Sequence, residues 1–472
     1  MLFNSGAYLG FLPLVTVLHW LLPSRARALW LLLASYFFYA WWSVPYLGLM
    51  IGLTAANFTV GIAQARFRRP QRLVVALAIA MNLLVLAIFK YLGFLEQLVQ
   101  RAASLFGLSA IPIVVDVVLP LGLSFFVFEF IHYQVDIHRG YQPIRDPIRF
   151  ALFPAFFPTQ IAGPIKRFQD FDAQVLRRPP FDTALFVDGL QLIVLGLVKK
   201  IVLADSLRPL ADSIFANTAA VSRIDALAGT IAFGFQIYLD FSGYTDIGRG
   251  SAQLLGYRMP ENFRTPYLAT SVRDFWRRWH ITLSSWLRDY LYIPLGGSRI
   301  GPRRTLANLM ATMTLGGLWH GAAIHFVLWG FLHGIALAAQ RWMGGVKRPA
   351  LASRLPSAFG ALVAWASTQT LVMLLWSLFR VPFVDATALW NRLAFGGGTG
   401  LLDQVSLSAI ALIVVGVVGT EIILRSVQDA DTWHDHWYTL GLRPISIAAG
   451  SLLVLVFTVN GHSTTRFIYF QF

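Results

Sequence analysis

Apolar residues gather along the chain in windows near residues 7–23, 28–43, 46–63, 72–95, 112–133, 184–205, 225–247, 305–340, 357–379, 406–425 and 444–461, set apart by loops rich in arginine. A straight membrane helix needs about 20 apolar residues. Several windows are shorter or carry glycine and proline inside them, so tilted and re-entrant helices are expected. The pattern predicts an all-α, polytopic integral membrane protein of roughly 11–12 membrane segments, and these are expected to surround a central channel. No repeat period or low-complexity linker divides the chain. Residues 1–472 are therefore expected to form one membrane domain, with N-terminal helices over 1–135, a core over 136–345 and C-terminal helices over 346–472.

The arginines orient these segments. Clusters at Arg25/Arg27, Arg66/Arg68/Arg69/Arg72, Arg139–Arg178, Arg258–Arg304, Arg341–Arg354 and Arg425–Arg443 share one side if the spans alternate, the cytoplasmic side by the positive-inside rule. The first apolar run has its positive charge after it, which fits a membrane segment with its N-terminus outside better than a cleaved signal peptide. The run from Thr305 to Gln340 contains no charged residue. It must enter and return on one face, as two short spans or a re-entrant pair. Within it, Gly316-Gly317-Leu318-Trp319-His320-Gly321 places an ionisable side chain at membrane depth, which is costly and usually functional. A packing histidine bonded to a helix carbonyl is the structural alternative.

Upstream, residues 273–290 read as one amphipathic helix. At about 100° per residue, Phe275, Trp276, Trp279, Leu283, Trp286, Leu287 and Tyr290 share one arc, with Arg273, Arg277, Arg278, Ser284 and Arg288 opposite. Rings backed by arginines suit a helix lying in the headgroup layer. His280 falls at the edge between the two faces. Arg264, Arg273, Arg277, Arg278 and Arg288 can meet phosphates through their planar forks, although positive-inside anchoring accounts for them equally. Asp240 and Asp246, near Tyr238, Ser242 and Tyr244, suit either a proton relay or a structural hydrogen-bond network. Lys199 and Lys200 close a span and are expected to reach an interface. His325 and His333 fall on different faces of a helix running on from His320, so no metal site is expected.

Composition narrows the class. The chain is 56% hydrophobic with only 13% charged residues, against about 25% in a soluble domain. No polar stretch leaves room for a soluble catalytic domain, so any chemistry sits within or between membrane segments. The net charge of +15 follows mainly from positive-inside loops, and no nucleic-acid module is visible. The absence of cysteine excludes disulfides and thiolate catalysis.

Several motifs carry a family resemblance: Ser35–Trp42, Phe157–Ile165, Gln236–Tyr244, Asn262–Ala269, Asp274–Ile281, Trp286–Gly297, Gly317–Gly321 and the terminal Phe467–Phe472. In order and spacing the chain resembles the membrane-bound O-acyltransferases, and within them the bacterial alginate O-acetyltransferase group. Thr282 stands where many relatives have serine, and the sequence is read as lacking an appended hydrolase-like domain, so that final transfer to a sugar is expected to depend on another protein.

The resemblance implies that His320 is the catalytic base, taking the proton of an acceptor hydroxyl as it attacks a thioester, a contribution of about 10²–10⁴ in rate. It implies that His280 is a second, supporting histidine. Trp276, Arg277, Arg278, Asp240, Tyr238 and Trp319 are candidates for the donor site or channel. No cofactor is expected to stay bound; acetyl-CoA is the implied donor, entering from the cytosol. The implied acceptor is a periplasmic polysaccharide, alginate first, reached through a periplasmic acetyltransferase or acceptor protein. The implied location is the bacterial inner membrane, with surrounding lipid and both termini periplasmic. Cellulose, peptidoglycan and D-alanyl transfer to teichoic acid remain alternatives within the chemistry. A scaffold of a polysaccharide-export complex and a proton-coupled transporter remain alternatives outside it.

Overall fold

The computed structural model describes residues 1–66, 72–107, 118–344, 357–428 and 442–459. The terminal motif Phe467–Phe472 and Arg68, Arg69, Arg348 and Arg354 lie outside these residues. The described chain is helical, without a named strand. It divides into two compact units, Met1–Ile193 with Ile247–Pro260, and Val194–Asp246 with Glu261–Phe472.

The first unit begins with α1 (Gly6–Leu21), α2 (Arg27–Ala40), α3 (Val44–Arg66), α4 (Arg72–Leu105) and α5 (Leu123–His138). Of the window expected over 112–133, residues 112–117 lie outside the described residues, and α5 begins after Gly122 turns the chain with φ 71°. Short helices follow: α6 (Pro147–Ala155), α7 (Phe157–Gln160) and α8 (Phe168–Arg177), leading into α9 (Thr183–Leu197). Asp146 starts α6 by accepting from the amides of Ile148 and Arg149, a side-chain N-cap. Asn57 and Asn82 exchange amide hydrogen bonds of 2.9–3.1 Å between α3 and α4, and Gln134 of α5 adds another to Asn57 Oδ1 at 3.0 Å. Such bonds join helices that lipid alone would not drive together. Lys166 is buried against Glu129 at 2.8 Å.

In the second unit α9 runs into a π-helical turn, Val198–Ala204, before α10 (Asp205–Phe215). The long α11 (Arg223–Leu254) belongs to this unit up to Asp246, and 78% of its apolar window is buried in the protein, against 22–28% in the other three long apolar helices. Protein on its flanks, in place of lipid, is what makes carboxylates acceptable along α11. Asp240 lies 3.1 Å from Lys200, which also binds Asp205 at 2.8 Å, while Lys199 pairs with Asp246 at 2.6 Å. Lys200 is 1% exposed, so it does not reach an interface as expected. The two carboxylates facing it make its burial tolerable. The wide turn sits where the two lysines diverge to different carboxylates, in keeping with the placement of π-turns at special sites.

The remaining helices are α12 (Val272–Arg278), α13 (Ile281–Leu287), α14 (Pro302–His320), α15 (Ile324–Gly344), α16 (Ser357–Arg380), α17 (Phe383–Phe395), α18 (Gln404–Gln428) and α19 (Leu442–Val459). Four described helices are long and apolar enough to cross a membrane: Val44–Arg66, Arg72–Leu105, Arg223–Leu254 and Ala358–Arg380. Four shorter apolar ones accompany them, Gly6–Leu21, Arg27–Ala40, Gln404–Gly419 and Ile447–Val456. The chargeless run from Thr305 to Gln340 folds into the antiparallel pair α14 and α15. A Cβ on Gly317 would stand 2.2 Å from the Phe326 carbonyl oxygen, and one on Gly330 2.2 Å from that of Met313. Backbone therefore rests on backbone there, the approach that small residues permit between membrane helices.

Candidate active site

Residues 273–290 do not form the single interfacial helix that their periodicity suggests. The chain breaks at His280, which takes a left-handed backbone (φ 42°, ψ 55°) and starts α13; a π-helical turn, Arg288–Tyr292, then follows α13. The aromatic face is real but turned inward. Phe275, Trp279, Leu283, Trp286 and Leu287 are buried, with Trp279 lying 4.7 Å from Trp376, 5.0 Å from Phe263 and 5.6 Å from Phe275 between ring centroids. Rings packing on rings remove more apolar surface from water than headgroups would. The same amphipathic signal serves a protein core on one side and an arginine-lined cavity on the other.

The break is held by one side chain. Asn262 Oδ1 accepts from Thr282 Oγ1 at 2.6 Å and from the Thr282 amide at 3.3 Å, and it faces His280 Nδ1 at 3.3 Å. The Asn262 carbonyl accepts from the Ile281 amide at 2.9 Å. A backbone amide can only donate, so the atom facing it must be the amide oxygen of Asn262, not its nitrogen. An amide oxygen only accepts, so His280 carries its proton on Nδ1 and keeps the lone pair on Nε2. The loop bearing Asn262 is fastened in turn: Tyr267 donates to the Gly234 carbonyl, and Trp365 Nε1 donates to the Tyr267 carbonyl at 2.8 Å.

His320 is the last residue of α14, and Gly321 follows in an extended conformation. A Cβ on Gly321 would come within 2.1 Å of the Phe326 ring, so any larger residue there would displace that ring. His320 is 5% exposed, and its ring is enclosed by Trp319, Trp329 and Phe379 at centroid distances of 4.9, 5.2 and 5.3 Å. Trp319 also touches the His280 ring, at 6.3 Å. The structure thus brings both histidines to one indole. His333, one turn after Trp329 and 4.8 Å from it, joins this cluster and accepts from Trp276 Nε1 through its Nδ1 at 3.4 Å. Among the described residues the indole N–H groups of Trp329 and Trp376 find no acceptor. No described group of three ligating side chains could hold a metal ion.

Beside this cluster opens a cavity of about 770 Å³, within the usual range of ligand pockets. Arg273, Arg277, Arg288 and Arg341 line it together with Ser284, Ser285 and Gln340, while Trp276, Ile281, Leu287 and Met313 form apolar wall. Trp276 and Ile281 join the cavity to the histidine cluster, the first through Trp329 (5.7 Å) and the second as the neighbour of His280. The other residues singled out earlier lie elsewhere. Arg278 is held by Asp274 at 2.9 Å and by Thr265 at 3.1 Å. Arg264 pairs with Glu261 at 2.9 Å, Asp240 belongs to the Lys200 cluster, and Tyr238 packs on Tyr267 and Trp279. Sequence reasoning named Asn262, His333 and Arg341 but gave none of them a place in this site. Asn262 stood inside the motif Asn262–Ala269 with nothing to mark its bond across to residue 280, and His333 meets His320 through the shared Trp329 ring.

Comparisons with known proteins bear on the same stretch of chain. Residues 144–365, which include both histidines and the cavity, match the membrane-bound O-acyltransferase family. The chain is 37% identical to a probable alginate O-acetylase of Pseudomonas putida over the full length of both proteins. It is 34% identical to a peptidoglycan O-acetyltransferase of Helicobacter pylori, covering 82% of this chain and 78% of that one. A teichoic acid D-alanyltransferase of Bacillus subtilis is 28% identical over 47% of this chain and 59% of its own.

Proposed function

The chain belongs to the membrane-bound O-acyltransferase family, and from that premise we propose that it takes acetyl groups from cytosolic acetyl-CoA and passes them across the inner membrane for a periplasmic polysaccharide, alginate first, by way of a periplasmic partner protein. It is a membrane protein and an O-acetyltransferase; the donor, the route and the partner are the proposal. The observation that carries it is the arginine-lined cavity joined through Trp276 and Ile281 to the His280–His320 cluster. The diphosphate and 3′-phosphate of coenzyme A suit Arg273, Arg277, Arg288 and Arg341, since guanidinium groups bind phosphate oxygens in pairs. The pantetheine arm then lies along the apolar wall, with the thioester at the histidines.

In the transfer, the acceptor oxygen attacks the acetyl carbonyl carbon while His320 takes the hydroxyl proton. The carbon–sulfur bond breaks, and the same proton passes to the departing sulfur, so acetyl ester and free coenzyme A result. His280, with its lone pair on Nε2, accepts a hydrogen bond and orients the nucleophile. The Trp329 N–H, buried beside His320, supplies a donor for charge developing on the carbonyl oxygen. A membrane-impermeant donor stays on its own side, and only the acetyl group crosses.

The test is turnover of [acetyl-¹⁴C]acetyl-CoA by purified protein in detergent, wild type against His320→Ala and His280→Ala. Turnover in the wild type that falls about 10²–10⁴-fold in folded His320→Ala supports the reading. Unchanged turnover in that variant removes His320 from the chemistry. A wild type that neither binds nor consumes acetyl-CoA, even with periplasmic extract, ends the acetyl-CoA proposal.

A further inference from the structure

The first unit holds a second, separate cavity of about 230 Å³. Arg25 and Arg27 reach it from the α1–α2 connection, Arg149 from the start of α6 and Arg178 from the end of α8, while Asp146 is the one carboxylate among its described lining residues. The charges do not cancel. Arg149 is matched by Asp146 at 3.5 Å and by Asp172 at 2.8 Å. Arg27 has neutral partners, the carbonyls of Leu22 and Pro179 at 3.3 Å and the Trp20 ring at 4.7 Å. Arg25 and Arg178 are exposed. Arg178 holds its place with φ 48°, a left-handed conformation that costs a residue with a side chain some strain.

Positive-inside loops explain why arginines are on this side of the membrane, but not why four of them, from three separate segments, converge on one cavity. A second observation points to what fills it. His19 also lines the cavity and is 1% exposed. It bonds the Leu255 carbonyl, whereas its Nδ1 is buried and makes no hydrogen bond among the described residues. A ring nitrogen left with its lone pair accepts from a hydroxyl. Leu29 and Leu176 stand on the cavity wall with 44% and 56% of their surfaces exposed, leaving apolar surface beside the charge.

We propose that this cavity binds a phosphate group carrying a hydroxylated substituent, as on phosphatidylglycerol, with the phosphate between Arg25, Arg27 and Arg178, the hydroxyl toward His19, and the acyl chains along Leu29 and Leu176. Basic pockets at the cytoplasmic ends of membrane helices take anionic headgroups in this way. A soluble phosphate could meet the same arginines, and the experiment separates the two sources.

The full chain is purified in detergent with equimolar phosphatidylglycerol and phosphatidylcholine, and the lipid retained is counted by native mass spectrometry with and without millimolar inorganic phosphate. Wild type retains phosphatidylglycerol in preference. Arg25→Gln and Arg178→Asn each lower that preference by about fivefold, while Arg101→Gln, an exposed arginine on α4, leaves it unchanged. Asparagine is chosen at 178 because it tolerates left-handed backbone. Resistance to inorganic phosphate assigns the site to lipid, and displacement by it assigns the same arginines to a soluble phosphate. Equal retention of both lipids by wild type, together with no effect of phosphate, overturns the proposal.

Discussion

Two neighbouring glycines, Gly316 and Gly317, offer a sharp test of how the site is held. A methyl group on Gly317 would lie 2.2 Å from the Phe326 carbonyl oxygen and 3.0 Å from both the nitrogen and the Cα of Gly330, all backbone. A carbon needs about 3.3 Å from a carbonyl oxygen, so α14 and α15 must part by about 1 Å in Gly317→Ala. Overpacking of that kind costs about 1–3 kcal/mol. His320 lies one turn further along the same helix, and a displacement of about 1 Å at a reacting group can lower rate about 10²-fold. On Gly316 the same methyl meets only the Leu287 Cδ1 atom at 3.1 Å, a side-chain tip that can give way. Gly316→Ala should keep near-normal turnover and gain up to about 1 kcal/mol of helix propensity. The assays are acetyl-CoA turnover and thermal unfolding of the detergent-solubilised protein. The reasoning fails if Gly317→Ala turns over within about threefold of wild type, or if Gly316→Ala is equally damaged.

Three other perturbations have definite expected outcomes. Asn262→Leu should lower turnover through loss of the His280 tautomer, whereas Asn262→Asp, which still accepts from Nδ1, should recover most of it; equal loss in both would reduce Asn262 to packing. Lys200→Met leaves Asp205 and Asp240 buried without their cation and should cost about 3–5 kcal/mol, seen as a lower melting temperature, with Asp240→Asn partly restoring it. Arg277→Gln and Arg288→Gln should each raise KM for acetyl-CoA about tenfold, the size of one charge-assisted hydrogen bond, with little change in kcat; a fall in kcat at constant KM would place the coenzyme elsewhere.

The succession of helices was legible from hydropathy because burial in lipid or protein demands the same apolar runs. The return of 305–340 was legible too, since a chargeless run between two basic flanks has to come back. Direction was harder to read. Helical periodicity assigns a shared face to Phe275, Trp279, Leu283 and Trp286, but a face has no label saying whether lipid or Trp376 covers it. Nor does periodicity register one left-handed residue, and His280 interrupts the helix without any glycine or proline to announce it. Lys200 was misplaced because its partners Asp240 and Asp205 converge only through the fold. His320 stood out because its residue type is anomalous for its depth. Asn262 did not, since an asparagine in a loop is ordinary until its oxygen is seen facing an imidazole.

The contact between α14 and α15 also bears on how the protein is made. The apposition that fixes His320 lies wholly within Pro302–Gly344, so a growing chain can form it as soon as that stretch leaves the ribosome. The His280 bracket, tied to Asn262, has been synthesised earlier still. Phe379 and Trp376, the rings that close over His320 and Trp279, come last, on α16. Domains assemble as units during synthesis, and local contacts form before distant ones. The nascent chain therefore holds His320 in place while one wall is still missing, and the arrival of α16 completes the rings around it.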